Sequence, residues 1–181
     1  MKVMIDACVL YPTLLRELVI GWAAAGGFTP LWSERILEEW RRAAARNGPQ
    51  DAGIAGLEIE GLKAMFPGAS VAVSPATQAA LSLPDPDDSH VLAAAIDAEA
   101  DELMTLNVRD FPTNALAAYG IIRRHPDEFL LEALHADPQR MGALVDAAMA
   151  RAQSFGIDTS DRRKLLKRAK LPRFAKALDQ L

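Results

Sequence analysis

Acidic residues recur in this chain where a carboxylate is least comfortable, directly after short apolar runs. Asp6 follows Val3-Met4-Ile5, while Asn107, Arg109 and Asp110 follow Leu103-Met104-Thr105. Asp85, Asp87 and Asp88 stand in a loop stiffened by Pro84 and Pro86, and Glu38 and Glu39 lie just beyond Ser33. A carboxylate beside buried apolar residues is costly unless a cation or a donor receives it. Asp6 alone reads equally well as a helix cap or as a ligand. One Asp ahead of a helix is ordinary capping, but three within four residues repel unless a cation compensates, and Asp88, at the helix start, is the best oriented of them. Oxygen donors of this kind suit Mg2+ or Mn2+. Zinc would ask for histidine or cysteine, and His90, His125 and His135 lack zinc-ligand spacing and read as surface or capping residues. A hard cation at such a cluster supports hydrolytic phosphoryl transfer.

The elements that position these residues can be read in outline. Val3-Met4-Ile5 has no alternation and suits a strand buried on both faces. Thr13 to Ala25 is apolar at helical spacing and stops at Gly26-Gly27. Phe28 to Trp32 suits a second strand, weakened by Pro30. Ser33 is a plausible N-cap for a helix to about Arg46, closed by Asn47-Gly48-Pro49. On that helix Ile36, Leu37, Trp40, Ala43 and Ala44 form the apolar stripe; Glu39 falls on its flank, able to point along a sheet edge or to sit as an ordinary boundary residue, while Glu38 faces away and can pair with Arg42. A helix over 54–66, a strand from Ser70 to Val73, a helix from Ser89 to Ala98, a strand at Leu103-Met104-Thr105 and another at Ile121-Ile122 complete the alternation. Such alternation predicts βαβ units and a mainly parallel sheet, whose functional crevice lies outside the carboxyl ends of the strands. From Pro126 the chain reads as helical, with breaks near Phe155-Gly156 and Pro172.

Composition excludes several classes. Half the residues are apolar and 24% are charged, enough for one well-buried core and too balanced for disorder. The single cysteine, Cys8, forbids an internal disulfide and fits a reducing cytoplasm. The N-terminus lacks the apolar core of a signal peptide, and Val19 to Trp32 is too short to span a bilayer, so no membrane role is expected. The net charge of −4 is uneven: residues 1–150 carry −10 and residues 151–181 carry +6. The basic tail, including Arg163 and Lys167, could face RNA or an acidic partner, or be a solvated helix.

Together these residues resemble those of the PIN-domain nucleases, particularly VapC-like ribonuclease toxins. Val3-Met4-Ile5-Asp6 resembles the opening strand with its catalytic Asp, Ser33 to Trp40 the helix with the catalytic Glu, Asp85 to Ala95 the central acidic motif, and Leu103 to Pro112 the last motif. The resemblance implies a three-layer α/β/α fold with a mainly parallel sheet over residues 1–124, followed by a helical extension over 125–181. It implies a Mg2+-dependent (or Mn2+-dependent) endoribonuclease with Asp6, Glu39, Asp88 and Asp110 as catalytic metal ligands. Asp85, Asn107, Ser33 and Thr105 are then accessory, and Arg109 could face a phosphate. It also implies an RNA substrate, a cognate antitoxin of a type II pair and a homodimer. Asn107 stands where many members carry Asp, which shifts the fourth anionic ligand toward Asp110.

Two other enzyme classes with acids at strand ends fit less well. A haloacid-dehalogenase-like phosphatase needs a second Asp two residues after the first, where this chain has Cys8. A receiver domain wants paired early acids and a late lysine on the sheet, and this chain offers neither clearly. The remaining alternative is a catalytically inactive PIN-like module that binds RNA or protein, which Asn107 keeps open.

Overall fold

The computed structural model describes residues 1–180. In chain order the elements are β1 (Lys2–Ile5), α1 (Ala7–Leu10), α2 (Thr13–Ala24), β2 (Thr29–Ser33), α3 (Glu34–Ala45), α4 (Pro49–Met65), β3 (Ser70–Val71), α5 (Pro75–Ala79), a 3-10 turn (Pro86–Asp88), α6 (Ser89–Asp97), β4 (Glu102–Met104), α7 (Thr113–Ala117) and β5 (Ile122–Arg124). Four further helices follow: α8 (Pro126–Ala136), α9 (Pro138–Ser154), α10 (Arg162–Arg168) and α11 (Pro172–Leu178). The chain divides into two units. One comprises Met1–Tyr11 and Phe28–Arg124; the other comprises Pro12–Gly27 and the chain from His125 onward.

The first unit holds a five-stranded sheet of order β3-β2-β1-β4-β5 with every pairing parallel. Val3, Met4 and Ile5 are all fully buried although successive side chains point to opposite faces, so the sheet is covered on both sides. This is the α/β architecture that the resemblance implies. Pro30 sits within β2 without breaking it. Thr29 N donates to Met1 O on one side and Trp32 N to Ala69 O on the other, so the nitrogen of Pro30 faces the β3 side before β3 begins.

Several boundaries differ from the sequence reading. α4 starts at Pro49, not near residue 54, because Pro suits a first helical position and Gly48, at φ 129, turns the chain into it. The short helices α1, α5 and α7 were not anticipated, and Pro138 separates α8 from α9. β3 is only two residues long.

In the second unit Asp127 is a buried cross-link. Its carboxylate accepts from the N–H groups of Arg173, at 3.1 and 3.0 Å, and Phe174, at 2.9 Å, filling the otherwise open N-terminus of α11. Among the described residues no helix is long and apolar enough to cross a membrane.

Candidate functional site

In the strand order of the first unit, β2 lies on one side of β1 and β4 on the other, which makes the carboxyl ends of β1 and β4 a topological switch point. The two ends are tied together: Asp6 N donates to Met104 O at 3.1 Å, and Leu106 N donates to Cys8 Sγ at 3.2 Å. The polar residues after both strands therefore meet at one edge.

Asp6 is 6% exposed and holds the N-cap position of α1, yet its side chain makes no capping bond. Thr105 Oγ1 donates to its Oδ2 at 2.7 Å, and Cys8 Sγ donates to the same oxygen at 3.0 Å, leaving Oδ1 free. Burial, followed by the negative charge of Asp6, pushes the Cys8 thiol far up, so it stays protonated and acts as a donor. Thr105, fully buried, also accepts from Asn107 N at 2.9 Å, and Asn107 Nδ2 donates to Asp88 Oδ2 at 3.0 Å. A continuous chain of hydrogen bonds thus runs from Asp6 to Asp88.

Asp88 precedes α6 but does not cap it. Instead Asp85, Asp88 and Asp110 each offer a carboxylate oxygen, and these three oxygens lie within 4.8 Å of one another. Asp85 also caps the 3-10 turn, its Oδ1 accepting from Asp87 N at 2.9 Å. Burial pushes the Asp88 carboxyl up to about 6, and the charges of Asp6, Asp85, Asp110 and Glu39 push in the same direction. All of the charges that act on it in this way are negative. Asp87 points elsewhere and is exposed.

Glu39 lies outside the tightest cluster. Its Oε1 stands 2.7 Å from His90 Nε2 and 3.5 Å from Arg35 Nε, and its charge still reaches Asp88. Glu38 turns away to Arg41 and Arg42, as its position on the helix requires. Ser33 caps α3 by accepting from Ile36 N at 3.3 Å. Arg109 is exposed beside Asp110. Arg163 and Lys167 belong to the second unit, on α10.

The sequence reading missed three residues here. His90 is not on the surface: it is 1% exposed, because α6 is buried almost all round from Ser89 to Ala95. Its neighbours, an alanine-rich stretch with no polar face, were the available signal. His125 does cap α8 and His135 is exposed, as expected. Read from sequence, Cys8 bears on the redox compartment and on the phosphatase alternative, with no sign of its contact with Asp6. Arg123, on β5, donates from one guanidinium nitrogen to the carbonyls of Val108 and Phe111, both at 2.8 Å, clamping the loop that carries Asp110.

The donor set suits a hard divalent cation: clustered carboxylates with no histidine among the nearest three, and no basic side chain neutralising Asp88. The family described as PIN domain matches residues 2–109, ending one residue before Asp110. The protein named "Putative ribonuclease VapC50" from Mycobacterium tuberculosis (strain ATCC 25618 / H37Rv) is 49% identical to the chain over 47 residues, which is 26% of this chain and 28% of that relative. The matched stretch thus spans little more than a quarter of the relative's length. No solved structure matches the chain.

Proposed function

This chain belongs to the PIN-domain family, and from that premise we propose that it is a Mg2+-dependent endoribonuclease acting at the carboxylate cluster. The observation that carries the reading is the crowding of Asp85, Asp88 and Asp110 within 4.8 Å, with Asp6 and Glu39 adding their charge to Asp88. Like charges packed in this way call for a compensating cation. Asp6, Asp88, Asp110 and Glu39 would hold it, with Asp85 and Asn107 in support. A bound divalent cation supplies polarisation of the phosphate, activation of the attacking water and compensation of charge on the departing oxygen.

The chain's own residues do the rest. Thr105 and Cys8 fix Asp6 through Oδ2. Asn107 fixes Asp88 through its amide, and Arg123 holds the loop bearing Asp110. Ser33 shapes the start of the helix that presents Glu39. Arg109, exposed beside the cluster, meets a backbone phosphate of the RNA. In the hydrolysis a water oxygen bonds to phosphorus as the bond from phosphorus to the departing ribose oxygen breaks.

We further propose that this nuclease is the toxin of a type II toxin-antitoxin pair, working in the cytoplasm as a homodimer and held in check by a cognate antitoxin. The likeness to VapC-type toxins and the match to a protein named VapC50 support this. The nuclease core is taken as residues 1–124 with a helical extension over 125–181.

The test is cleavage of RNA by the purified chain with Mg2+, its arrest by a chelator, and its loss in Asp6→Asn with an unchanged circular dichroism spectrum. Cleavage that ignores chelation, or that survives Asp6→Asn, overturns the proposal. RNA binding without cleavage by the unaltered chain would leave the inactive binding module in its place.

A further inference from the structure

Helix α10 carries the sequence Arg162-Arg163-Lys164-Leu165-Leu166-Lys167-Arg168, with no acid among its seven residues. Arg163, Lys164, Lys167 and Arg168, together with the capping Asp161, line an open depression of about 430 Å³ in the second unit. Asp161 is occupied at the helix end, its Oδ1 accepting from Lys164 N at 2.8 Å. Arg163 reaches Asp179 at 3.5 Å. Lys164, Lys167 and Arg168 are exposed and in no ion pair among the described residues, and the charge of Lys164 reaches Asp158.

Part of this arrangement works against the helix that bears it, although Lys167 and Arg168, in the last turn, suit the macrodipole. Arg162, Arg163 and Lys164 occupy the first turn, where the macrodipole disfavours cations. Arg163 with Lys167, and Lys164 with Arg168, are like-charged pairs four residues apart. Ion pairs to Asp146 and Asp179 offset part of this for Arg162 and Arg163, and an external polyanion would offset the rest. Every residue lining the depression is charged, so a protein segment would meet the aliphatic stems of cationic side chains but none of the aromatic or aliphatic side chains that protein interfaces are built around. Nucleic-acid interfaces are polar and cationic, and guanidinium groups suit phosphate oxygens.

We propose that the α10 depression binds the phosphate backbone of single-stranded RNA, independently of base sequence. The inference rests on the nuclease reading only for the choice of RNA as the polymer. Lys164, Lys167 and Arg168 supply the contacts, and Arg163 joins them by leaving Asp179.

The test uses the full chain in a chelator, which prevents cleavage, and follows the anisotropy of a labelled oligouridine of roughly 20 nucleotides from about 50 to 300 mM salt. The triple variant Lys164→Gln/Lys167→Gln/Arg168→Gln is expected to bind at least about tenfold more weakly, with the slope of log affinity against log salt reduced by about two. The charge-preserving variant Lys164→Arg/Lys167→Arg/Arg168→Lys should keep the unaltered slope. Equal affinity and slope in the triple variant, or no RNA binding by the unaltered chain, overturns the proposal. So does polyglutamate of matched charge displacing the RNA as well as unlabelled oligouridine does, which would mark an acidic protein as the occupant. Cleavage assayed separately with Mg2+ keeps the two readings apart. An uncleaved RNA that still loses affinity in the triple variant refutes the nuclease and leaves the depression, and the converse refutes the depression alone.

Discussion

His90 Nε2 stands 2.7 Å from Glu39 Oε1, on an imidazole that is 1% exposed and whose nitrogens find no well-aligned hydrogen-bond partner. A ring buried this way is held by packing, and its Nε2 faces the glutamate. The contact, together with Arg35 at 3.5 Å, therefore sets where Glu39 points. His90→Phe keeps a planar ring there and removes the contact, and its larger volume should lower the melting temperature modestly. In an RNA-cleavage assay it should raise the Mg2+ concentration for half-maximal rate about tenfold, a change of roughly 1.4 kcal/mol. His90→Gln should recover part of that loss. An unaltered Mg2+ dependence in His90→Phe would show that the contact has no part in the site.

Arg123 acts at a distance from the carboxylates by clamping the carbonyls of Val108 and Phe111. Arg123→Met keeps the side-chain length and loses both bonds, at a cost of about 1–2 kcal/mol to the loop. Hydrogen exchange should accelerate over residues 107–111, with a several-fold weaker Mg2+ dependence of cleavage. Exchange unchanged over that loop would count against the clamp.

The pH dependence follows from Asp88, whose carboxyl is pushed up to about 6. In the unfolded chain the same group titrates near 4. Between those values the metal-free native state binds the extra proton, so stability from this group falls as pH rises from about 4 to about 6 and is level beyond. Metal and proton compete for the same oxygens, so added Mg2+ should reverse the fall above about pH 6. Thermal melts of the chain and of Asp88→Asn across this range check the sign: the variant should lose the downward slope. A slope of the opposite sign that disappears in Asp88→Asn would contradict the raised carboxyl.

Asp127 offers a stability prediction that does not depend on function. Its carboxylate satisfies the N–H groups of Arg173 and Phe174 at the start of α11 from a position that is 3% exposed. Asp127→Ala strands those donors and should cost about 2–3 kcal/mol in urea unfolding. A loss under about 0.5 kcal/mol would mean that the cross-link is replaceable by solvent.

How much of this was legible in the sequence depended on whether a feature is local. Val3-Met4-Ile5 announced a doubly buried strand because an uninterrupted apolar run has few other uses. The α3 stripe placed Glu39 on its flank and Glu38 away from it, and the ion pairs of Glu38 agree. Helices α5 and α7, at five residues each, are too short for a 3.6-residue period to register. Asn47-Gly48-Pro49 reads correctly as the end of α3, but the same residues also begin α4, and one motif with two uses hides the second. His90 and Arg123 were missed because their partners lie 51, and 12 or 15, residues away; Cys8 has Asp6 two residues off, but its contacts with Thr105 and Leu106 span 97 and 98 residues, and no local pattern encodes such pairings. The membership of Asp85 in the tightest cluster, ahead of Glu39, is likewise a product of the tertiary fold.

The central claim is that carboxylates from separate elements share one divalent cation. Crystals soaked in Mn2+ and measured at its absorption edge test it directly. The account predicts one anomalous peak among the oxygens of Asp85, Asp88 and Asp110, and its loss in Asp88→Asn. A map with no peak there, or a peak that persists unchanged in that variant, would contradict it.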